Sequence, residues 1–140
     1  MPTICSDKCL DCGKNLLTGH KNDYCASCLT KRRRAEKIQK WLETGDTGMG
    51  VDTTIRGAIR DYILEEQDHL CAICDWPDDW NGKPLNFILD HIDGDASNSK
   101  RENLRLICPN CDSQLPTYKS RNKNSARNLR KTYLQENYSK

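Results

Sequence analysis

The chain has 140 residues, which is room for one ordinary domain or two very small ones. Only 36% of the residues are hydrophobic and 6% are aromatic, which argues against a large apolar core. This composition predicts a fold that depends on bound metal or disulfides for stability. The formal net charge of +2 is unremarkable. No apolar run approaches the ~18 residues of a membrane span, and no signal peptide is recognisable. We therefore expect a cytoplasmic protein without membrane contact.

The nine cysteines fall into four C-x-x-C pairs with one cysteine left over. The pairs are Cys9/Cys12, Cys25/Cys28, Cys71/Cys74 and Cys108/Cys111, and the remaining cysteine is Cys5. Pairs grouped two and two are typical of zinc sites. Disulfides are the alternative, but they require an oxidising compartment to which nothing in the sequence points. The pattern predicts two structural Zn2+ sites, one for each quartet.

Residues 1–29 predict a zinc-ribbon or zinc-knuckle module. Twelve residues separate Cys12 from Cys25, so two tight knuckles can each offer two thiolates to one tetrahedral ion. Cys5 and His20 are alternative ligands, although a spare thiol and a surface histidine explain them more simply. Modules of this kind stabilise a fold, bind nucleic acid or bind protein, and the sequence does not choose among these roles.

The next segment, 30–52, is expected to form a basic helix followed by a hinge. Thr30 is the predicted N-cap of a helix that ends near Thr44, with Gly45 just beyond it. The apolar stripe that should pack on the protein consists of Ala35, Ile38, Trp41 and Leu42. The Gly-rich stretch 44–52 predicts the boundary to the main domain.

Basic residues are concentrated in two segments. Lys31–Lys40 carries six basic residues and one acid, and Leu115–Lys140 carries seven and one. Solvated helix faces explain each run taken alone, but two such segments favour a polyanion, most simply nucleic acid. The residues expected to contact it are Lys31, Arg32, Arg33, Arg34, Lys37, Lys119, Arg121, Lys123, Arg127 and Arg130.

The main domain is expected at 53–124, with a basic helix or tail at 125–140. A helix capped by Asp52 or Thr53 should run to His69 and bury a stripe at helical spacing. That stripe consists of Ile55, Ala58, Ile59, Tyr62, Ile63 and Leu70. Trp76 and Trp80 are expected to cover the small core rather than to stack on bases. A last helix is expected from about Ser125 to Gln135.

Residues 86–112 carry the candidate chemistry. Two short strands joined by a Gly-containing loop fit the pattern, with Asp90-His91 at the end of the first strand. Adjacent strand residues point to opposite faces, so this pair can share one site only where the strand twists or ends. A histidine with a pKa near 6.5 is the usual base for activating water, and carboxylates are hard ligands for Mg2+. Asp112, directly after Cys111, can supply a second carboxylate, and the amide of Asn103 can pin the loop or orient His91.

The sequence D-H-I-D-G-D, followed by E-N-L-R-L-I-C-P-N-C-D-S-Q, resembles the HNH endonuclease family of the His-Me finger superfamily. The similarity is to small phage-type members with two C-x-x-C pairs, and it covers about residues 53–124. The resemblance implies a ββα-metal fold with His91 as general base and Asp90 as ligand to one catalytic Mg2+ or Mn2+ ion. It implies that Asn103 orients the loop of His91. The family often has a histidine directly after the last cysteine, where this chain has Asp112.

The predicted fold class is therefore a small, zinc-stabilised α+β protein. It has a ββα-metal core, flanking helices and an N-terminal zinc-ribbon-like arm. The predicted function is metal-dependent hydrolysis of DNA phosphodiester bonds, as nicking or double-strand cleavage, in a bacterial or phage-infected cell. Two alternatives stay open, namely a nuclease for branched DNA and a non-catalytic double-zinc nucleic-acid-binding protein. DNA is the expected partner, and a second copy or phage packaging or recombination proteins are further candidates.

Overall fold

The described part of the chain is built from four helices and two short antiparallel hairpins. The computed structural model describes residues 8–17, 21–48 and 57–138. The helices are α1 (Ala26–Thr44), α2 (Ala58–Glu66), α3 (Pro109–Gln114) and α4 (Ala126–Tyr138). The strands are β1 (Asp79–Trp80), β2 (Lys83–Pro84), β3 (Ile88–His91) and β4 (Leu104–Ile107). Short 3-10 turns lie at Arg101–Asn103 and Lys119–Arg121. The result is a small α+β fold in which no described helix is long and apolar enough to cross a membrane.

The chain divides into two compact units, Met1–Lys37 and Ile38–Lys140. The division falls inside α1, whereas the Gly-rich stretch 44–52 was predicted as the hinge. The described part of that stretch is ordered by local contacts, because Thr47 is buried and the Asp46 carboxylate accepts from the Gly48 amide. Residues 49–52 lie outside the described residues. The domain boundaries predicted from the sequence stay a prediction.

Helix α1 begins one turn earlier than predicted. The predicted N-cap, Thr30, lies inside the helix, where its hydroxyl donates to the carbonyl of Ala26 at 2.9 Å. The cysteine knuckle that ends at Cys28 therefore runs directly into the helix, because the Leu29 amide already donates to the Cys25 carbonyl. The predicted end at Thr44 is correct. Gly45 follows with a φ of 70°, the left-handed conformation that glycine adopts at low cost.

Besides Cys28 of the first quartet, the buried side chain of α1 is Trp41, in the last part of the helix. The Trp41 side chain is fully buried, and its indole N–H donates to the Ser99 carbonyl at 2.7 Å. Its ring meets the edge of Tyr62 with centroids 5.9 Å apart. The predicted stripe was wrong at Ala35 and Leu42, which are exposed. Ala35 belongs to the N-terminal unit, not to the unit whose core contains Trp41.

Helix α2 supplies the centre of the core of the second unit. Ile59 and Ile63, one turn apart, are fully buried with Leu104 and Leu106 of β4. The helix ends at Glu66, before the predicted His69, because Asp68 and His69 both take a positive φ. The predicted caps Asp52 and Thr53, and Ile55 of the stripe, lie outside the described residues.

The edge of β4 that does not pair with β3 is hydrogen-bonded by the side chain of Gln67, a residue for which no role was predicted. Gln67 accepts from the Leu106 amide and donates to the Leu106 carbonyl, both at 2.8 Å. Its amide also donates to the Leu70 carbonyl at 2.9 Å. Buried backbone groups that lack a partner are costly, and here one amide side chain takes the place of a third strand. Gln67 thus fixes the chain after α2 against the strand that leads to Cys108.

The segment after Cys74 forms a hairpin, β1–β2, whose Asn81-Gly82 turn has two positive φ angles. This Asn-Gly pair is the typical signal of a two-residue hairpin turn. The prediction that Trp76 and Trp80 cover the core was wrong, because they are 45% and 57% exposed. The two rings pack on each other with centroids 5.4 Å apart. They line an open cleft of about 780 Å³ beside the second cysteine quartet.

Candidate metal sites and the Asp90–His91 corner

The second cysteine quartet joins three elements of the larger unit. Cys71 and Cys74 follow α2, Cys108 lies directly after β4 as the N-cap of α3, and Cys111 lies in the first turn of α3. The four sulfur atoms lie within 4.8 Å of one another, and those of Cys74 and Cys108 are 3.7 Å apart. A disulfide is about 2.05 Å long, whereas a tetrahedral zinc with Zn–S bonds of about 2.3 Å has sulfurs about 3.75 Å apart. The quartet therefore fits a zinc ion and not a disulfide.

Backbone amides donate hydrogen bonds to two sulfur atoms of this quartet. The Cys108 amide donates to the Cys71 sulfur at 3.2 Å, and the Cys111 amide donates to the Cys108 sulfur. Burial by itself raises the pKa of Cys71, but the N–H groups of Cys108, Cys74 and Ile73 outweigh it and bring that pKa down to about 7. Metals bind the thiolate, so a donor shell of this kind favours the ligating form.

The first quartet belongs to the N-terminal unit and has the same dimensions. The sulfurs of Cys9, Cys12, Cys25 and Cys28 lie within 4.8 Å of one another, with 3.7 Å between Cys12 and Cys25. The Ser27 hydroxyl lies 3.2 Å from the Cys25 sulfur and is the main cause that lowers the pKa of that thiol to about 6. Both quartets could hold zinc. Cys5 and His20, the alternative ligands, lie outside the described residues.

Arg32 ties the start of α1 to the first knuckle. Its guanidinium donates two hydrogen bonds to Asp11, at 2.7 and 2.5 Å, and lies 4.0 Å from the centre of the Tyr24 ring. The pKa of Asp11 is lowered mainly by this hydrogen bonding. Arg32 was predicted to contact nucleic acid, and such a contact would require it to give up or share this bidentate pair.

Strands β3 and β4 bring Asp90 opposite Arg105. The register pairs Asp90 with Arg105 and His91 with Leu104. The Arg105 Nε donates to Asp90 Oδ2 at 2.7 Å, and the side chains are 26% and 10% exposed. Arg105 was not among the residues predicted for the site. Its position directly across the hairpin from Asp90 follows once the strand register is known.

Asp112 lies in the first turn of α3, where the charge of Asp90 influences its pKa. The pKa of Asp112 is raised, first by burial and then by the negative charge of Asp90, while Lys119 acts in the opposite direction. A carboxylate is made more basic in this way when a second carboxylate is near and water is partly excluded. A divalent cation between two such groups would relieve both effects, so the donor set fits a hard metal ion.

His91 is the last residue of β3, and a turn follows in which the Gly94 amide donates to the His91 carbonyl at 2.8 Å. The ring is partly buried, and its Nε2 is enclosed without a hydrogen-bond partner. Burial lowers the pKa of His91, against the opposing charges of Asp93, Asp90 and Asp95. A lowered pKa keeps the imidazole neutral at neutral pH, which is the form that accepts a proton.

Asn103 is buried at the end of the 3-10 turn before β4. Its side-chain N–H groups donate to Asp93 Oδ1 and the Asn98 carbonyl, both at 2.8 Å. Its side-chain oxygen accepts from the Asp93 amide at 3.0 Å. Asn103 makes no hydrogen bond to the His91 ring among the described residues. Its side chain therefore fixes the loop that follows His91 and not the ring itself.

The C-terminal segment packs on the same loop. The Ala96 amide donates to the Asn124 carbonyl at 3.2 Å, and the Asn128 side chain donates to the Asn122 carbonyl at 3.0 Å. Gly94 is buried against this segment, because a Cβ at Gly94 would lie 2.9 Å from Thr117 Cγ2. The residues after α3 therefore pack against the loop that follows His91.

We expect Gly94→Ala to lower the melting temperature more than Gly82→Ala. Both glycines have a positive φ, 76° and 71°, so each replacement carries the roughly 1–2 kcal/mol cost of a left-handed alanine. Only at Gly94 does the new methyl group meet a neighbour, since nothing lies within 4 Å at Gly82. Thermal unfolding followed by circular dichroism measures the difference. The added substitution Thr117→Ala should recover the excess loss, and equal losses for the two single variants would contradict the packing of the tail on the loop.

Asp90 is near enough to both Asp112 and His91 for its charge to act on the pKa of each, but the three side chains are not a closed ligand set. Among the described residues, the two cysteine quartets are the groups of three or more metal-ligating side chains whose ligand atoms lie within 4.8 Å of one another. The basic residues Arg33, Arg34, Arg121, Lys123, Arg127 and Arg130 are exposed, and Lys37 is partly exposed. Lys119, with a φ of 52°, is near enough to Asp112 for each to shift the pKa of the other.

Fold and site define a small α+β protein with two cysteine clusters that could hold zinc. The chain is similar to a curated phage protein, the H-N-H endonuclease F-TflIV of Escherichia phage T5, with 36% identity over 66 residues. Those residues are 46% of this chain and 29% of the relative, so the chain spans less than a third of that relative's length. No protein-family model and no solved structure matches the chain.

Proposed function

We propose that the protein is a metal-dependent DNA endonuclease of the HNH type, with a ββα-metal core at β3, β4 and α3. The observation that carries the proposal is the position of Asp90, whose charge acts on both Asp112 and His91, in a hairpin beside a cysteine quartet that fits zinc. The partial likeness to an H-N-H endonuclease of phage T5 supports a nuclease in general.

Asp90 and Asp112 are the residues that would hold one Mg2+ or Mn2+ ion. The negative charge of Asp90, which raises the pKa of Asp112, supports this pairing, because a shared cation stabilises two carboxylates that lie near each other. An ion held there would supply Lewis-acid chemistry for the negative charge that develops during phosphodiester cleavage. Asp90 and Asp112 would be its protein ligands.

His91 is the proposed general base. Its lowered pKa keeps the imidazole neutral, so it can take a proton from a water molecule that attacks the phosphorus in line with the leaving oxygen. Asn103 holds the loop after His91 through three hydrogen bonds to Asp93 and Asn98. A fixed loop keeps the base in one position, and fixed geometry is a large part of what an active site contributes.

DNA would be held by phosphate contacts from the two basic segments, one on α1 and one after α3. Lysine and arginine contacts to phosphate are independent of sequence and weaken with salt, so we expect binding with little sequence preference. The N-terminal module with its own zinc would add contacts to DNA or to a protein.

The second candidate is a zinc protein that binds nucleic acid without cleaving it. It is favoured by one observation, namely that the acid–histidine groups are not a closed ligand set as the cysteine quartets are. Supercoiled plasmid incubated with the purified protein and Mg2+ or Mn2+, with and without EDTA, separates the two. We expect nicked or linear plasmid that EDTA suppresses, and retarded but intact plasmid would favour the binder. A four-way junction compared with linear duplex then tests the branched-DNA alternative.

A further inference from the structure

The ion pair between Arg105 and Asp90 differs from the other ion pairs described in the larger unit. Arg101–Glu66 and His69–Asp78 join separate elements at the surface, with carboxylate side chains that are 40% and 37% exposed. Asp90 is only 10% exposed, and its partner comes from the directly opposed position of the neighbouring strand. A hydrogen-bonded pair on a rigid hairpin leaves both side chains little freedom.

Arg105 occupies only one of the two carboxylate oxygens. Its Nε donates to Oδ2 of Asp90, while Oδ1 of Asp90 makes no hydrogen bond to a described residue. A carboxylate with one oxygen tied to a guanidinium has a fixed plane, and its other oxygen can still accept a ligand. Helix α3, which carries Asp112, packs against β3, which carries Asp90.

We propose that Arg105 is a positioning residue for the divalent metal site. It holds Asp90 by Oδ2, so that Oδ1 is the oxygen that binds the ion. The inference rests on the proposed function, because it assumes that Asp90 is a metal ligand. Groups that hydrogen-bond to a ligating carboxylate commonly change metal affinity by roughly 10- to 100-fold when they are removed.

Two effects of Arg105 on a bound cation oppose each other. Its positive charge repels the ion, whereas its hydrogen bond preorganises the ligand. Arg105→Met removes both, and Arg105→Lys keeps the charge while it replaces the planar donor with a flexible one. If positioning dominates, Arg105→Met weakens metal binding despite the lost repulsion, and Arg105→Lys falls between it and the wild type.

The test is the affinity of the full-length, zinc-loaded protein for Mn2+ without DNA, measured from the electron paramagnetic resonance signal of free Mn2+. We expect about tenfold weaker binding for Arg105→Met, with partial recovery in Arg105→Lys. The matched control is Arg101→Met, which removes a similar arginine–carboxylate pair outside the site and should bind Mn2+ as the wild type does. Zinc content and circular dichroism confirm folding, and Arg105→Gln gives the same comparison if Arg105→Met does not fold.

Unchanged or tighter Mn2+ binding by the folded Arg105 variant would overturn the positioning role while leaving the proposed nuclease intact. An equal loss in Arg101→Met would also overturn it, because the effect would then be a general one on stability. Absence of Mn2+ binding by the wild type, together with absence of plasmid cleavage, would refute the proposed function and this inference with it.

Discussion

His91→Ala is expected to lower the rate of DNA cleavage by roughly 10²- to 10⁴-fold, the range that a general base contributes. We expect this substitution to lower activity without destabilising the fold, because the His91 Nε2 has no hydrogen-bond partner that the substitution would leave unsatisfied. Alanine at the end of β3 can keep the backbone contacts of the turn, including the Gly94 amide on the His91 carbonyl. Plasmid nicking under single-turnover conditions measures the rate, and gel retardation measures DNA binding, which should be unchanged.

His69→Ala is the matched control for this experiment. His69 is exposed, and its ring pairs with Asp78 at 2.7 Å rather than with a residue of the candidate site. We expect cleavage by this variant within a few-fold of the wild type, because exposed ion pairs contribute little to stability. If His91→Ala cleaves as fast as His69→Ala, His91 is not the base.

Loss of the second zinc is expected to unfold the larger unit. Structural zinc contributes on the order of 10 kcal/mol of apparent folding free energy, and a small domain has only about 5–15 kcal/mol in total. Cys71 and Cys108 are themselves buried in the core with Ile59, Ile63 and Leu106, so the metal would hold together the end of α2, β4 and α3. Cys108→Ser should therefore abolish the cooperative thermal transition of this unit and all cleavage.

The corresponding change in the first quartet, Cys12→Ser, is the control. Cys12 belongs to the smaller unit, so this variant should lose one equivalent of zinc and keep the thermal transition of the larger unit. Zinc content by mass spectrometry and melting followed by circular dichroism report both effects. A Cys108→Ser variant that retained its full zinc content and its transition would show that the quartet is not a structural metal site.

Local sequence patterns were sufficient to predict the strands and the cysteine quartets around the candidate site. The spacing of the cysteines predicted both quartets. The apolar run 87–89 and the apolar alternation 104–107 predicted the strands that became β3 and β4. The buried pair Ile59 and Ile63 followed from helical spacing. These features depend on residues near one another in the chain or on ligand chemistry, which a single sequence records.

Long-range packing decided what the sequence did not predict. Ala35 was expected in the core because it shares the stripe of Trp41, but it belongs to the N-terminal unit and is exposed. Trp76 and Trp80 were expected to cover the core, but Trp80 lies in the small β1–β2 hairpin, Trp76 packs on it, and both are exposed. Arg105 could be matched to Asp90 only with the register known, since 14 residues lie between them in the chain.

The most direct test of the central proposal is the conversion of supercoiled plasmid by purified zinc-loaded protein, with the wild type and His91→Ala side by side. The wild type should nick or linearise the plasmid when Mg2+ or Mn2+ is present and stop when EDTA is added. His91→Ala should bind the same plasmid and leave it supercoiled. Plasmid that stays intact with the wild type at every divalent concentration, or that both proteins cleave equally, would contradict a nuclease centred on Asp90, His91 and Asp112.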